Sequence, residues 1–441
     1  MPGMCLKQQP CWVFRHLFPL LCDDKMAGDA LTNVVGSEPK RGSVGFVKGR
    51  NSQLVQTRRY RVSVLTLIGQ AEAYRTYMAA TVDVTTKPVT SAISLRWIIS
   101  AKDDLVWFIG SVVSSYLLLL LYVSGILPLV TMAALWAILI DAPHVFGTFS
   151  RTYFDKTERR NRARLLWGSL LFFAVGPLMV LAGAGFVFFF VAALWAYYHL
   201  VKQHYGFMVL YKKKNNDLAS VDNFLDRALL LFAFNYPFVE FIARDPEAMA
   251  RVPALLRGGV NGFATLLLIG TVLLGVIWLG RQIQRAITGE PLNVPKYLLL
   301  AAAIPMHWIV LLTPMPNKPI AIVAILTIYH NFQYHRLIWF HNKKYNRDPQ
   351  KRDHFGAASF ISRRLPYYIA FGIIFGIIYQ GPRQLLGYVS FQRANAGVTE
   401  QSFLVQLGVS FLWGYAFIHY YLDSKIWRVR RDAAVGKALN M

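Results

Sequence analysis

Apolar residues in this chain come in long runs separated by short polar segments, from about residue 105 to the C-terminus. A helix that crosses a bilayer needs about 20 mostly apolar residues, and about ten runs approach or meet that length. They lie near residues 105–124, 128–149, 165–182, 185–208, 223–242, 261–280, 297–314, 319–341, 365–381 and 402–422. The pattern predicts an all-α fold: a polytopic transmembrane helical bundle over residues 96–430, followed by a cytoplasmic tail at 431–441.

The segments between runs differ in charge. One alternate set holds Arg151, Lys156, Arg159, Arg160, Arg162 and Arg164; then Lys212, Lys213 and Lys214; then Arg281, Arg285 and Lys296. It continues with Lys343, Lys344, Arg347, Lys351, Arg352, Arg363 and Arg364, and ends with Lys425, Arg428, Arg430, Arg431 and Lys437. The other set is poor in Lys and Arg; Ser124 to Leu127 has none. Basic loops stay on the cytoplasmic side, so both termini are expected in the cytoplasm of a multi-pass protein of a bacterial inner membrane or its equivalent.

Residues 1–95 lack a spanning run and read as a basic, largely disordered extension, with Lys40 to Arg61 rich in Gly and Ser. The apolar stretch Trp12 to Leu21 is interrupted by Arg15 and His16 and has no small-residue cleavage site behind it, unlike a signal peptide. Met78-Ala-Ala-Thr-Val reads like an ordinary protein beginning, so residues 1–77 stand either as native sequence or as an upstream extension.

Composition fits a membrane chain: 441 residues, 55% hydrophobic and only 16% charged. The net charge of +24 would suggest nucleic acid in a soluble protein. Here it sits between apolar runs, so no nucleic-acid partner is expected. The three cysteines, Cys5, Cys11 and Cys22, all precede the membrane part, which excludes a thiolate metal site there.

Ionisable residues are rare in spanning helices and mark function when they occur. Of the 10 histidines, His144 closes the second run, His199 and His204 the fourth, His330, His335 and His341 the eighth, and His419 the tenth. All these runs head toward the cytoplasm in the predicted topology, so the histidines gather at one membrane face. Asp141 precedes His144 by one helical turn, and Asp423 follows His419 by one, so each pair shares a face. His199/His204 and His330/His335 are both His-x4-His. Such pairs diverge by about 140° on a regular helix. They converge across a π-bulge, or each helix sits between two ligand-bearing neighbours.

Six imidazoles (His144, His199, His204, His330, His335, His419) with Asp141 and Asp423 supply enough ligands for two metal ions. Nitrogen and carboxylate donors without thiolate favour iron or zinc. Gln203, Asn331 and Gln333 are placed to orient rings. Tyr153, Tyr198, Tyr205, Tyr329, Tyr334, Tyr420 and Tyr421 read mostly as an aromatic belt at the headgroups. His307, mid-span, reads as a core histidine or a haem ligand, and His354 as a loop residue. Asp222 and Asp226 rank below the cluster, and Arg151, Asp155 and Arg336 read as interface anchors.

The histidine segments resemble those of the membrane histidine-box non-haem iron enzymes: desaturases, hydroxylases and, more loosely, bacterial carotene dioxygenases. The His-x2-His-His box of desaturases is absent. The resemblance implies iron held at cytoplasmic helix ends, a lipid or other hydrophobic small molecule as substrate, and a cytoplasmic electron donor. The expectation is a metal-dependent membrane oxidoreductase with those eight residues as ligands or ring-orienting partners. Two alternatives stand beside it. One is a transporter or haem-binding protein, for which Gly176-Pro177 and Ile304-Pro305 would be helix interruptions. The other is a zinc-dependent lipid hydrolase or transferase.

Overall fold

The computed structural model describes residues 93–395, 402–429, 432–439 and 441, all within one compact unit, Lys87–Met441. His16, the three cysteines, Met78 and nearly all of the predicted 1–95 extension lie outside the described residues, as do Arg430 and Arg431 of the tail.

Among the described residues the chain is almost entirely helical. The long helices are α1 (Ala101–Val123), α2 (Leu129–Arg151), α3 (Ala163–Leu181), α4 (Gly185–Lys214), α5 (Ser220–Arg244), α6 (Val260–Ile287), α7 (Val294–Leu312), α8 (Lys318–Asn342), α9 (Leu365–Asn395) and α10 (Phe403–Ile426). The only sheet among them is a two-residue parallel ladder, Ile93 with Leu292 and Ser94 with Asn293, ahead of α1 and α7.

Among the described residues, eight helices are long and apolar enough to cross a membrane; α5 and α8 are not among them. Both have the length, at 25 residues each, but carry too much polarity. Asp222, Asp226, Arg227, Glu240 and Arg244 lie on α5, and Lys318, Arg336 and three histidines on α8. The most polar long helices are thus the ones the apolar pattern describes least well, and α8 is mostly enclosed by its neighbours.

Glycines set the close crossings. A Cβ on Gly376 of α9 would stand 2.3 Å from the Ile138 carbonyl oxygen of α2, and one on Gly372 would stand 2.9 Å from the Pro143 ring. Gly372-x-x-x-Gly376 therefore lets two backbones meet, as small residues do between membrane helices. Gly176 of α3 does the same against the Ser410 carbonyl of α10, at 2.5 Å.

Where α4 and α6 end and α5 and α7 begin, ionic side chains interlock. Lys296 Nζ reaches Asp217 at 2.7 Å and Asp226 at 3.0 Å, and Lys212 also pairs with Asp226. Arg285 reaches Asp217 at 2.8 Å, and Arg281 grips both oxygens of Asp222 at 3.0 and 3.1 Å. Trp278 Nε1 donates to Asp226 at 2.7 Å. Loop cations in the sequence, Lys212, Arg285 and Lys296 are buried ion-pair partners in the fold.

Candidate metal centre

Two helices reach the site through π-helical turns. Asp104–Gly110 in α1 and Ala137–Asp141 in α2 each wind one residue wider than an α-turn. Each presents a carbonyl to α8. The Phe108 carbonyl accepts from Tyr329 (2.6 Å) and Gln333 (2.8 Å), and the Ile140 carbonyl from His335 Nε2 (3.0 Å). These bonds fix the height and rotation of α8 against α1 and α2. Gln203 of α4 donates to the His330 carbonyl at 2.8 Å and joins the fourth helix to the same level. Gln203 and Gln333 thus orient helices, where the sequence suggested rings. The His-x4-His pairs sit on regular α-helix; the π-turns lie on neighbouring helices.

α2 and α10 each touch α8 or α4, and three buried imidazoles converge between α2, α4 and α10. His144 Nε2 lies 2.8 Å from His419 Nε2, and His199 Nε2 lies 3.1 Å from the same atom. The three ligand atoms all fall within 4.8 Å of one another. Two imidazole nitrogens bound to one ion at about 2.0–2.1 Å stand roughly 3.0–3.4 Å apart, close to the two contacts that His419 Nε2 makes.

The far side of His419 determines which of its nitrogens faces the triangle. Thr148 Oγ1 donates to Asp423 Oδ1 at 2.6 Å and lies 2.7 Å from His419 Nδ1. A hydroxyl has one proton. With that proton donated to the carboxylate, Thr148 is free to accept from His419 Nδ1–H, and the Tyr334 hydroxyl lies 2.7 Å from the same Thr148 oxygen. In that tautomer His419 turns an unprotonated Nε2 toward His144 and His199. That atom has one in-plane lone pair and two imidazole neighbours, a triangle that hydrogen bonding alone satisfies poorly and a cation satisfies well. Tyr334 OH also donates to Asp423 Oδ1 at 2.7 Å, and Trp427 Nε1 approaches Tyr334 OH at 3.4 Å. A carboxylate–hydroxyl–imidazole chain of this kind orients metal ligands.

The other predicted residues stand around this triangle. His330 has its ring centre 4.7 Å from His144 and 5.2 Å from His199, and its Nδ1 has no partner among the described residues. His335 is half-buried, 6.1 Å from His144 by ring centres. His204 is buried but faces His307 of α7. Asp141 accepts from Gln380 (3.2 Å) and, at 3.4 Å, from Asn331. Asp423 lies 3.8 Å from His419 Nδ1, on the side away from the triangle. His341 packs on Trp427, and His354 is exposed in its loop.

Tyr329 and Tyr334 are buried, and Tyr420 stacks on His199 at 4.4 Å, so these three serve the interior rather than an aromatic belt. Arg151 is buried, donates to the Ile426 carbonyl at the end of α10, and lies over Trp427 at 3.8 Å. Arg336 pairs with Asp103 at 2.7 Å, and Asp155 caps the short helix Lys156–Asn161. Sequence reasoning missed Thr148. Its signal was present: it lies four residues after His144, on the same helix face. Comparison of the chain with protein-family models, with curated proteins and with solved structures gave no match.

Proposed function

We propose that this chain is a membrane-embedded, metal-dependent oxidoreductase acting on a lipid-soluble substrate. The observation that carries the reading is the convergence of three buried Nε2 atoms from α2, α4 and α10, with Thr148 and Asp423 in contact behind the His419 ring. An all-imidazole first sphere without thiolate suits iron or zinc. Iron with an open position supplies oxygen activation when an external donor provides electrons. His144, His199 and His419 would hold the ion. Thr148, Asp423 and Tyr334 would keep the His419 ring oriented, and the surrounding apolar helices would exclude bulk water.

In this reading α5 and α8 cross the membrane with the other eight long helices, and both termini face the cytoplasm. The ion pairs joining the ends of α4 and α6 to the starts of α5 and α7 support a crossing α5, since they bring the four ends to one level. Asp222 and Asp226 of α5 meet cations there, and Arg336 of α8 pairs with Asp103, so these charges meet protein partners and not lipid.

A second reading draws on the same hydrogen bonds. The run His199–His419–Thr148–Asp423–Tyr334 is continuous and could conduct protons in a transporter without any metal. Metal content and visible spectrum of detergent-purified protein, grown metal-replete, separate the readings. Iron without a Soret band, reduced in a folded His199→Ala/His419→Ala variant, is the expected result. Wild-type protein without bound metal overturns the proposal in favour of proton conduction. Zinc alone points to a hydrolase or transferase, and a Soret band to haem.

A further inference from the structure

The three-histidine triangle leaves one histidine pair unused. His204 of α4 and His307 of α7 are both fully buried. Each donates from Nδ1 to the carbonyl one turn earlier in its own helix, His204 to Leu200 at 3.0 Å and His307 to Ala303 at 2.9 Å. With the proton committed to Nδ1, each ring presents an unprotonated Nε2. Neither Nε2 has a hydrogen-bond partner among the described residues.

Their neighbours make this more pointed. The ring centres of His204 and His307 are 5.4 Å apart, with the planes 86° to one another. Phe234 stacks on His307 at 3.9 Å and meets His204 edge-on at 5.3 Å, and Tyr329 closes in at 5.4 Å from His204. The Tyr329 hydroxyl is committed to the Phe108 carbonyl and the Tyr197 hydroxyl to the Phe234 carbonyl. These aromatic walls therefore offer the two lone pairs no free protein donor.

Two imidazoles sharing one tetrahedral ion at about 2.0–2.1 Å have ring centres roughly 5–5.5 Å apart, which is the separation found. An Nδ1–H held by a backbone carbonyl is also the usual support of a metal-bound histidine. His330, with its unpaired Nδ1, lies between this pair and the triangle; its ring centre is 6.4 Å from His204 and 5.2 Å from His199.

We propose that His204 and His307 form a second metal subsite for a divalent first-row ion such as iron or zinc, with His330 as the ring between the two subsites. The inference rests on the metal reading of the triangle. It also accounts for the spacing on α4. His199 and His204, five residues apart, point to different neighbours, and each serves its own subsite.

Metal stoichiometry per chain tests the proposal. Wild-type protein, purified in detergent after metal-replete growth, is expected to hold two ions. His307→Ala is expected to hold one, and His199→Ala/His419→Ala also one. If His307→Ala does not fold, His204→Gln keeps a polar side chain and is expected to show the same loss. One ion in wild type, retained in His307→Ala and lost in the triangle variant, overturns the second subsite and leaves the first intact. Two ions retained in His307→Ala or His204→Gln likewise overturn it. No ion in wild type overturns both.

Discussion

Two polar clusters are buried in this helical bundle, and their chemistry is opposite. The first joins Lys212, Asp217, Asp222, Asp226, Arg281, Arg285 and Lys296, where each full charge has a partner of the other sign. The second gathers His144, His199 and His419, with His330, His204 and His307 beside them, where neutral nitrogens face one another and several lone pairs have no donor. The ionic cluster matches its charges within the protein, with Arg285 Nε its one buried atom lacking a hydrogen bond among the described residues. The imidazole cluster is complete only if something else enters it. Burial alone therefore does not mark function; burial with the partners left out does.

The sharpest way to break this contrast is to remove one member of each cluster and measure unfolding in detergent. Asp226→Ala leaves Lys212 and Lys296 buried with Asp217, already engaged by Arg285, as their remaining carboxylate. Loss of one partner from a buried ionic pair costs about 3–5 kcal/mol, so a large fall in the melting temperature is expected. His199→Leu in metal-stripped protein removes a crowded nitrogen and keeps an apolar side chain beside Tyr420, so its stability is expected to stay within about 1 kcal/mol of wild type. A metal-free His199→Leu protein that unfolds as readily as Asp226→Ala would mean that the histidines are structural.

A smaller effect separates the ligands from their support. Thr148→Val keeps the shape of the side chain but removes the hydroxyl between His419 and Asp423. Loss of an outer partner typically costs 10–100-fold in metal affinity. A competitive chelator titration is expected to show a loss of that order, with the metal still bound at saturation. An unchanged affinity would remove Thr148 from the site.

How much of this was readable beforehand differs between the two clusters. The helices and the gathering of histidines followed from apolar runs and from the rarity of ionisable residues within them, but His199 and His330 fall in the middle of α4 and α8, not at their ends. His144, His199 and His419 were named with no hint of which neighbours would face them. The partition within each His-x4-His pair was not legible, because it depends on whether α7 or α10 packs beside α4. His307 illustrates this: alone on α7 it reads as a core histidine, and only the fold sets it against His204. The ionic cluster was read as loop charge for a similar reason. Lys212, Arg285 and Lys296 lie at helix ends, where sequence shows basic residues but not the aspartates of other segments that enclose them.

Acid titration probes the ionic side of the comparison most gently. Asp217 lies in the segment between α4 and α5. Burial alone would raise its carboxyl, but Lys296, Lys212 and Arg285 outweigh that and hold it down at about 2. A carboxyl depressed from its ordinary value near 3.8 stabilises the fold fully above that value and loses the contribution as pH falls through about 2. The stability difference between wild type and Asp217→Asn should therefore be constant from neutral pH to about 5, then close between about 4 and 2. Closure within that window would tie the ion pairs to Asp217 itself. A difference that stays constant down to pH 2 would show that the effect of the substitution comes from lost packing, and the ionic cluster would then owe little of its stability to this carboxylate.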